Sequence, residues 1–423
     1  MYVQTRAADQ GTLPDVLNVL DDLADAGVTV VRTWAFADGS NEWNALQPEP
    51  GEYDERVFKA LDRVIMEAGK RKLRLLLVLT NYWPEYGGME CYVRWSRQLR
   101  GLPLRGKEHK MAASNFYEDI WSQELYARFV STVIQRINTY TGIAYKDDPT
   151  ILGWSPANEP ECPSLNGEGC GIIAMWAHRA AALIKQLDPN HLVFMDCEGF
   201  MGPSTPNECQ NNPYDCKHTG CDFSRDCNSP FIDVACCHLY PDLWLPDCGV
   251  LEHIDFAKRW IDSHVRQSLE LGKPLIISEF GKKIGRANHG QDERYSYYKT
   301  IFECVLHYMS RSTNNVLAGS MFWLAAAHSY PDYDGFSVYL PSRTSTEASD
   351  GTAALIKQHA TDVQGLIQYL AKKDCIAQVT IASSAHRRIS KRGGFSTVMR
   401  GPLAEELQVV DHVQRQRGCC LIS

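Results

Sequence analysis

Long apolar runs are what this 423-residue chain most clearly lacks. Nothing in it approaches the run of about 18 apolar residues that a membrane-spanning helix needs, so no such helix is expected. Met1 to Gly11 contain no apolar core flanked by basic residues, so no signal peptide is visible. Positive charge is also short. Lysine and arginine number 43 against 51 aspartates and glutamates, a formal net charge of −8. Binding to nucleic acid usually needs a clustered basic face, so no nucleic-acid partner is expected. Paired Cys-x-x-Cys spacing is absent as well, which weakens the case for structural zinc.

What is present is ordinary globular composition, 44% hydrophobic and 22% charged. Ten tryptophans and 19 tyrosines are a generous aromatic supply. Packing is their usual use, and stacking on the apolar faces of sugar rings is the other. Cysteine is plentiful, with 15 residues. Cys162 and Cys170, then Cys209, Cys216, Cys221 and Cys227, fall in loops at irregular spacing, which suits disulfides in an oxidising compartment. Zinc in the 209–227 stretch is the alternative. Cys197, Cys236 and Cys304 sit in apolar elements and read as buried and inert.

Apolar runs alternate with amphipathic segments. Strands are expected at Val28–Thr33, Leu73–Leu79, Ile151–Asn158, Leu192–Cys197, Phe231–His238, Pro274–Glu279 and Leu317–Trp323. Helices are expected at Leu13–Ala26, Glu55–Arg71, Ser122–Thr139, Ile172–Gln186, Asp255–Leu271 and Ala354–Ala371. This alternation implies βαβ units, and near-continuous apolar strands imply a parallel sheet covered on both faces. The expected fold is a (β/α)8 barrel over residues 1–372 that lacks its first strand, followed by a basic, disordered tail over 373–423. Tyr2–Arg6 offers at most a fragment of that strand, so the sequence is expected to start late, without its first strand and signal peptide. The chain ends Cys420-Leu421-Ile422-Ser423, a prenylation pattern with Cys419 as a possible second acyl site. Two locations are therefore open: extracellular, as the loop cysteines suggest, or membrane-associated through Cys420.

Function is concentrated at two strand ends, Ala157-Asn158-Glu159-Pro160 and Ser278-Glu279-Phe280-Gly281. The C-terminal rim of a parallel barrel carries its catalytic groups. Two carboxyl groups facing each other there, one protonated and one ionised, are the minimum equipment for cleaving a glycosidic bond. Asn158 can hydrogen-bond a sugar hydroxyl beside Glu159. The alternative for Glu279 is a structural carboxylate paired with Arg32. Arg32 ends the first visible strand and could keep a carboxylate ionised through bidentate bonds. His238 and Tyr240 end another strand and could tune both glutamates. Trp323 closes the last strand, where an indole can floor the site.

In order along the chain, these features resemble glycoside hydrolase family 5, and more closely its endo-β-1,4-mannanase branch. The resemblance rests on Arg32-Thr33-Trp34-Ala35-Phe36, Asp147 to Ile151, Trp154 to Glu161, Glu198-Gly199-Phe200, His238 to Trp244 and Ser278 to Gly281. It implies Glu159 as acid/base and Glu279 as nucleophile of a retaining double displacement. It also implies Arg32, Trp34, Asn158, His238, Tyr240 and Trp323 as active-site positions, and Trp83 and Trp244 as substrate-lining aromatics. The substrate it implies is β-mannan or a related polysaccharide, cleaved by a monomer that needs neither metal nor organic cofactor and binds no membrane. A β-1,4-glucanase and a carbohydrate-binding protein without catalysis are the competing readings. Ser155-Pro156 and the cysteine-rich stretch Gly202–Pro230 depart from the family pattern.

Overall fold

The computed structural model describes residues 3–103, 113–163, 171–284, 291–311, 316–341 and 351–390. Seven strands form one sheet in strictly sequential order: β1 (Val30–Trp34), β2 (Arg74–Val78), β3 (Ile151–Ser155), β4 (Leu192–Asp196), β5 (Val234–Leu239), β6 (Leu275–Phe280) and β7 (Leu317–Phe322). Every neighbouring pair is parallel. Each expected strand is present within a few residues. β3 stops at Ser155 because Pro156 has no N–H to give the ladder.

Alternation along the strands separates two cores. One face of the curled sheet packs Val30, Leu76, Leu152, Phe194, Val234, Cys236, Ile276 and Ala318 against one another. The other face meets the helices. The helix Glu55–Lys70 shows why these form: Asp54 caps it by accepting from the Arg56 N–H, and Val57, Leu61, Val64, Ile65 and Ala68 line one buried stripe.

No backbone pairing joins β1 to β7 among the described residues. The gap between these two edges is lined by Val16, Leu20 and Leu23 of the helix Leu13–Asp25, by Val30 and Val31, and by Met321 and Phe322. The expected strand fragment is absent, since Val3–Ala7 is one turn of helix. The last helix runs Gly351–Ser390, well past the expected end at Ala371. Residues 373–390 contain neither glycine nor proline, so nothing in the backbone stops the helix where the basic patches begin. Residues 391–423, including Cys419 and Cys420, lie outside the described residues. Among the described residues, no helix is long and apolar enough to cross a membrane.

Candidate active site

Sequential parallel order brings the C-terminal ends of all seven strands to one rim, where six of the expected site residues converge. Arg32, from β1, is only 5% exposed in its side chain. Its guanidinium spreads over three partners: Nε donates to Asp196 Oδ2 (2.6 Å), Nη1 to Glu279 Oε1 (2.5 Å) and Nη2 to Asn158 Oδ1 (2.6 Å). Asn158 Nδ2 in turn donates to Asn81 Oδ1 at 3.0 Å. Burial disfavours the charged guanidinium, but the charges of Asp196 and Glu279 outweigh it and hold Arg32 protonated.

Glu159 follows β3 with φ +44°, an uncommon conformation for a side-chain-bearing residue. The backbone on both sides enforces it. Asn158 N–H donates to Thr80 O (2.9 Å), Tyr82 N–H donates to Asn158 O (3.1 Å), and Glu159 N–H donates to Asp196 O (2.9 Å). One carboxylate oxygen accepts from Trp83 Nε1 at 2.6 Å and the other faces His238 Nδ1 at 2.5 Å. Glu279, near the end of β6, accepts from Tyr240 Oη at 2.7 Å as well as from Arg32. An oxygen of each glutamate and a ring nitrogen of His238 lie within 4.8 Å of one another.

These neighbours split the two carboxyls. Burial pushes Glu159 up, but the charge and hydrogen bond of His238, with Trp83 and Arg32, bring it below the usual glutamate value. Glu279 is pushed above that value, chiefly by burial, with His238 and Arg32 opposing and Glu159 and Asp196 adding to the rise. His238 would be lowered by burial, yet Glu279, Glu159 and its hydrogen bonds raise it well above an ordinary histidine.

The remaining expected residues are placed differently. Trp83 is a hydrogen-bond donor to Glu159 rather than only a lining surface. Trp323 borders the gap between β1 and β7 together with Arg32 and Glu279. Trp244 is half-buried among Phe200, Tyr240, Phe256 and Trp260. Trp34 is 3% exposed, stacked on Phe36 at 4.9 Å and covered edge-on by Tyr86, so it is packed away from solvent in this structure. Asp196, which sequence reasoning passed over, joins Arg32, His238 and Ser278. Its only signal in the sequence is an acid at the end of the apolar run Leu192-Val193-Phe194-Met195.

Among the described residues, Glu159, His238 and Glu279 are the one group of three or more metal-type ligands that converges. Both ring nitrogens of His238 face carboxylates, which makes the ring a hydrogen-bond donor there rather than a metal ligand. The thiols of the 209–227 stretch do not gather into such a group. Among the described residues, the disulfides expected in the 209–227 stretch are not formed: Cys209, Cys216, Cys221 and Cys227 are thiols. Three of these sulfurs turn to main-chain carbonyls, Cys209 towards Met201 and Gly202, Cys216 towards Tyr214, and Cys221 towards Pro160, while the Cys227 thiol faces that of Cys197. Cys170 lies outside the described residues.

Residues 2–333 match the family model for glycoside hydrolase family 5 β-mannosidase-like proteins. The chain belongs to this family. Mannan endo-1,4-β-mannosidase 8 of Oryza sativa subsp. japonica is 40% identical over 308 residues, 72% of this chain and 80% of the relative. Mannan endo-1,4-β-mannosidase 7 of Arabidopsis thaliana is 34% identical over 348 residues, 82% and 77% of the two chains. Among solved structures, the endo-β-1,4-mannanase of Thermotoga petrophila superposes with a TM-score of 0.66 at 27% identity, covering 84% of this chain and 74% of that one. Family membership makes the chain a glycoside hydrolase on a parallel α/β barrel scaffold, and the barrel expectation stands.

Proposed function

We propose that this family member is an endo-acting β-1,4-mannanase working with retention, with Glu159 as acid/base and Glu279 as nucleophile. The observation that carries the reading is the approach of the two carboxylates within 4.8 Å at the ends of β3 and β6. Retaining enzymes hold their carboxyl groups about 5–5.5 Å apart, whereas inverting ones leave about 6.5–9.5 Å for a water. In the first step Glu279 attacks the anomeric carbon while Glu159 gives a proton to the departing glycosidic oxygen. In the second, Glu159 takes a proton from water, whose oxygen displaces Glu279.

Burial and charge bias the two carboxyls the other way, Glu159 below and Glu279 above the usual value, but the hydrogen bonding supports these roles. Glu279 accepts two hydrogen bonds, from Arg32 and Tyr240, which favours the carboxylate that a nucleophile must be. Glu159 holds its proton in common with His238. Mannan specificity, rather than glucan, is supported by the names of the plant relatives. The working unit is taken to be a monomer, which sedimentation of the purified protein tests. A polymeric substrate supports an extracellular location, and secretion of the full-length product tests it.

The deciding assay is hydrolysis of pure β-mannan, glucomannan and carboxymethylcellulose by the protein beside Glu159→Ala and Glu279→Ala. Mannan cleavage lost in both variants is expected, with the anomeric configuration of the product retained. Cleavage of cellulose alone would overturn the specificity. A folded protein that cleaves none of the three would leave the carbohydrate-binding reading in its place.

A further inference from the structure

Asp196 has no part in a two-carboxylate mechanism, yet its side chain bonds only to the residues that surround that pair. It ends β4 and is fully buried. Oδ2 accepts from Arg32 Nε at 2.6 Å, Oδ1 accepts from Ser278 Oγ at 2.6 Å, and Oδ1 faces His238 Nε2 at 3.1 Å. Its main-chain oxygen holds the Glu159 N–H at 2.9 Å. On the opposite side of the same imidazole, Nδ1 faces Glu159 Oε1 at 2.5 Å.

An ionised carboxylate accepts hydrogen bonds and cannot donate them. A ring with such a group on each nitrogen must therefore carry both protons. A neutral ring would turn one lone pair onto a carboxylate oxygen, leaving two buried acceptors face to face, which is unfavourable. We propose that Asp196 is a positioning residue for the catalytic proton: it holds His238 as the imidazolium, so that the proton on Nδ1 is available to Glu159 for the leaving group. This rests on the assignment of Glu159 as the acid/base.

The charges around His238 agree. Glu159 and Asp196 touch the ring, Glu279 Oε2 lies 3.7 Å from Nδ1, and Arg32 is the only cation bonded into the group among the described residues. The phenol of Tyr240 is held by Glu279 and the indole of Trp260 binds only the His238 main-chain oxygen. Burial, with Glu159 and Glu161 beside it, pushes Glu198 well above the usual carboxylate range, and burial does the same for the Cys236 thiol beside Asp196. Three ionised carboxylates and one guanidinium leave room for a second cation, and Asp196 is the carboxylate that supplies the excess. Asp196 itself stays ionised: burial opposes this, and Arg32, His238 and Ser278 overcome it.

The proton balance closes. In glycosylation the Nδ1 proton passes to Glu159, and Glu159 protonates the glycosidic oxygen as its bond to the anomeric carbon breaks and Glu279 forms the ester. In deglycosylation Glu159 takes a proton from water as the ester bond breaks, and the proton returns to His238.

The experiment compares the full-length enzyme with Asp196→Asn and Glu159→Ala, measuring kcat/KM from acid to alkaline pH. Two substrates are used: mannopentaose, whose leaving sugar needs a proton, and a 2,4-dinitrophenyl β-mannobioside, whose leaving group does not. For Asp196→Asn the basic limb is expected to move down by about one to two pH units. Mannopentaose turnover should fall about 10–100-fold, within the range of general-acid contributions, while the dinitrophenyl substrate changes by less than about threefold. An unmoved basic limb, or equal losses on both substrates, would reduce Asp196 to a strut for Arg32 and overturn the proposal. Full mannopentaose activity in Glu159→Ala would instead defeat the acid/base assignment. A second measurement needs no change at Asp196. In 15N-histidine-labelled wild-type enzyme, with the His238 signals assigned by their loss in His238→Gln, both ring nitrogens should be protonated at neutral pH. A bare nitrogen on His238 would overturn the proposal.

Discussion

Tyr240→Phe isolates one hydrogen bond to the proposed nucleophile. Tyr240 and Glu279 are 7% and 6% exposed, so the 2.7 Å bond between them is shielded from water. Phenylalanine keeps the ring and its edge contacts with Trp244 and Phe336 at 6.4 and 5.4 Å, and removes only the donor. A hydrogen bond to a charged group contributes about 1.5–3 kcal/mol. That stabilisation belongs to the ionised carboxylate, and about 1.4 kcal/mol corresponds to one pKa unit. Without it, Glu279 should gain its proton about one to two units higher in pH. Activity requires Glu279 ionised, so the acid limb of kcat/KM should move up by that amount and activity should disappear earlier as pH falls. Well above the limb the loss should be small, because Glu279 gives up its charge on forming the ester and the lost bond matters less in the transition state. The assay is the pH profile of kcat/KM on mannopentaose, with thermal unfolding confirming an intact fold. An acid limb that stays in place would refute the reasoning, since Glu279 would then not be the group whose ionisation limits the rate at low pH.

Trp83→Phe removes a donor from the ionised form of Glu159, so the basic limb should move up, by about one unit, opposite in sign to Asp196→Asn. Asp62 lies buried under Arg136, Tyr145 and Thr139. Asp62→Ala leaves Arg136 only the exposed Glu55 and unpairs the Tyr145 and Thr139 donors, and should cost about 3–5 kcal/mol in urea unfolding, the range for breaking a buried pair. His359 is stacked on Phe302 at 4.0 Å, and burial lowers it from 6.5 to about 4. The folded state then binds fewer protons than the unfolded chain as pH falls from about 6.5 to 4, so stability is lost across that window. His359→Leu should recover about 2 kcal/mol of the loss between pH 7 and pH 5, read as a flatter dependence of melting temperature on pH. Alkylation of the denatured, unreduced protein should modify Cys209, Cys216, Cys221 and Cys227, as free thiols require.

Strand ends were the legible part of this sequence. A parallel strand buried on both faces is written as an apolar run, and a charged residue where such a run stops must stand at the rim. Arg32 and Glu279 follow directly from that rule, as does His238; Glu159 lies just beyond the end of β3 and Tyr240 just beyond that of β5. What the pattern does not carry is register. Asp196 obeys the same rule, but its role depends on β4 standing between β3 and β5 so that one carboxylate meets Arg32, Ser278 and His238 at once. Trp34 is a related case. It shares a strand with Arg32, yet the loop bearing Tyr86 folds over it, so an expected active-site position is packed among aromatics. Cysteine spacing was the least informative signal, because bridging depends on the separation and direction of two Cβ atoms that a loop's sequence does not specify. Loop sequence leaves partners open while strand sequence nearly fixes them, so the residues that remain to be found in such a site are those whose partners lie on other strands.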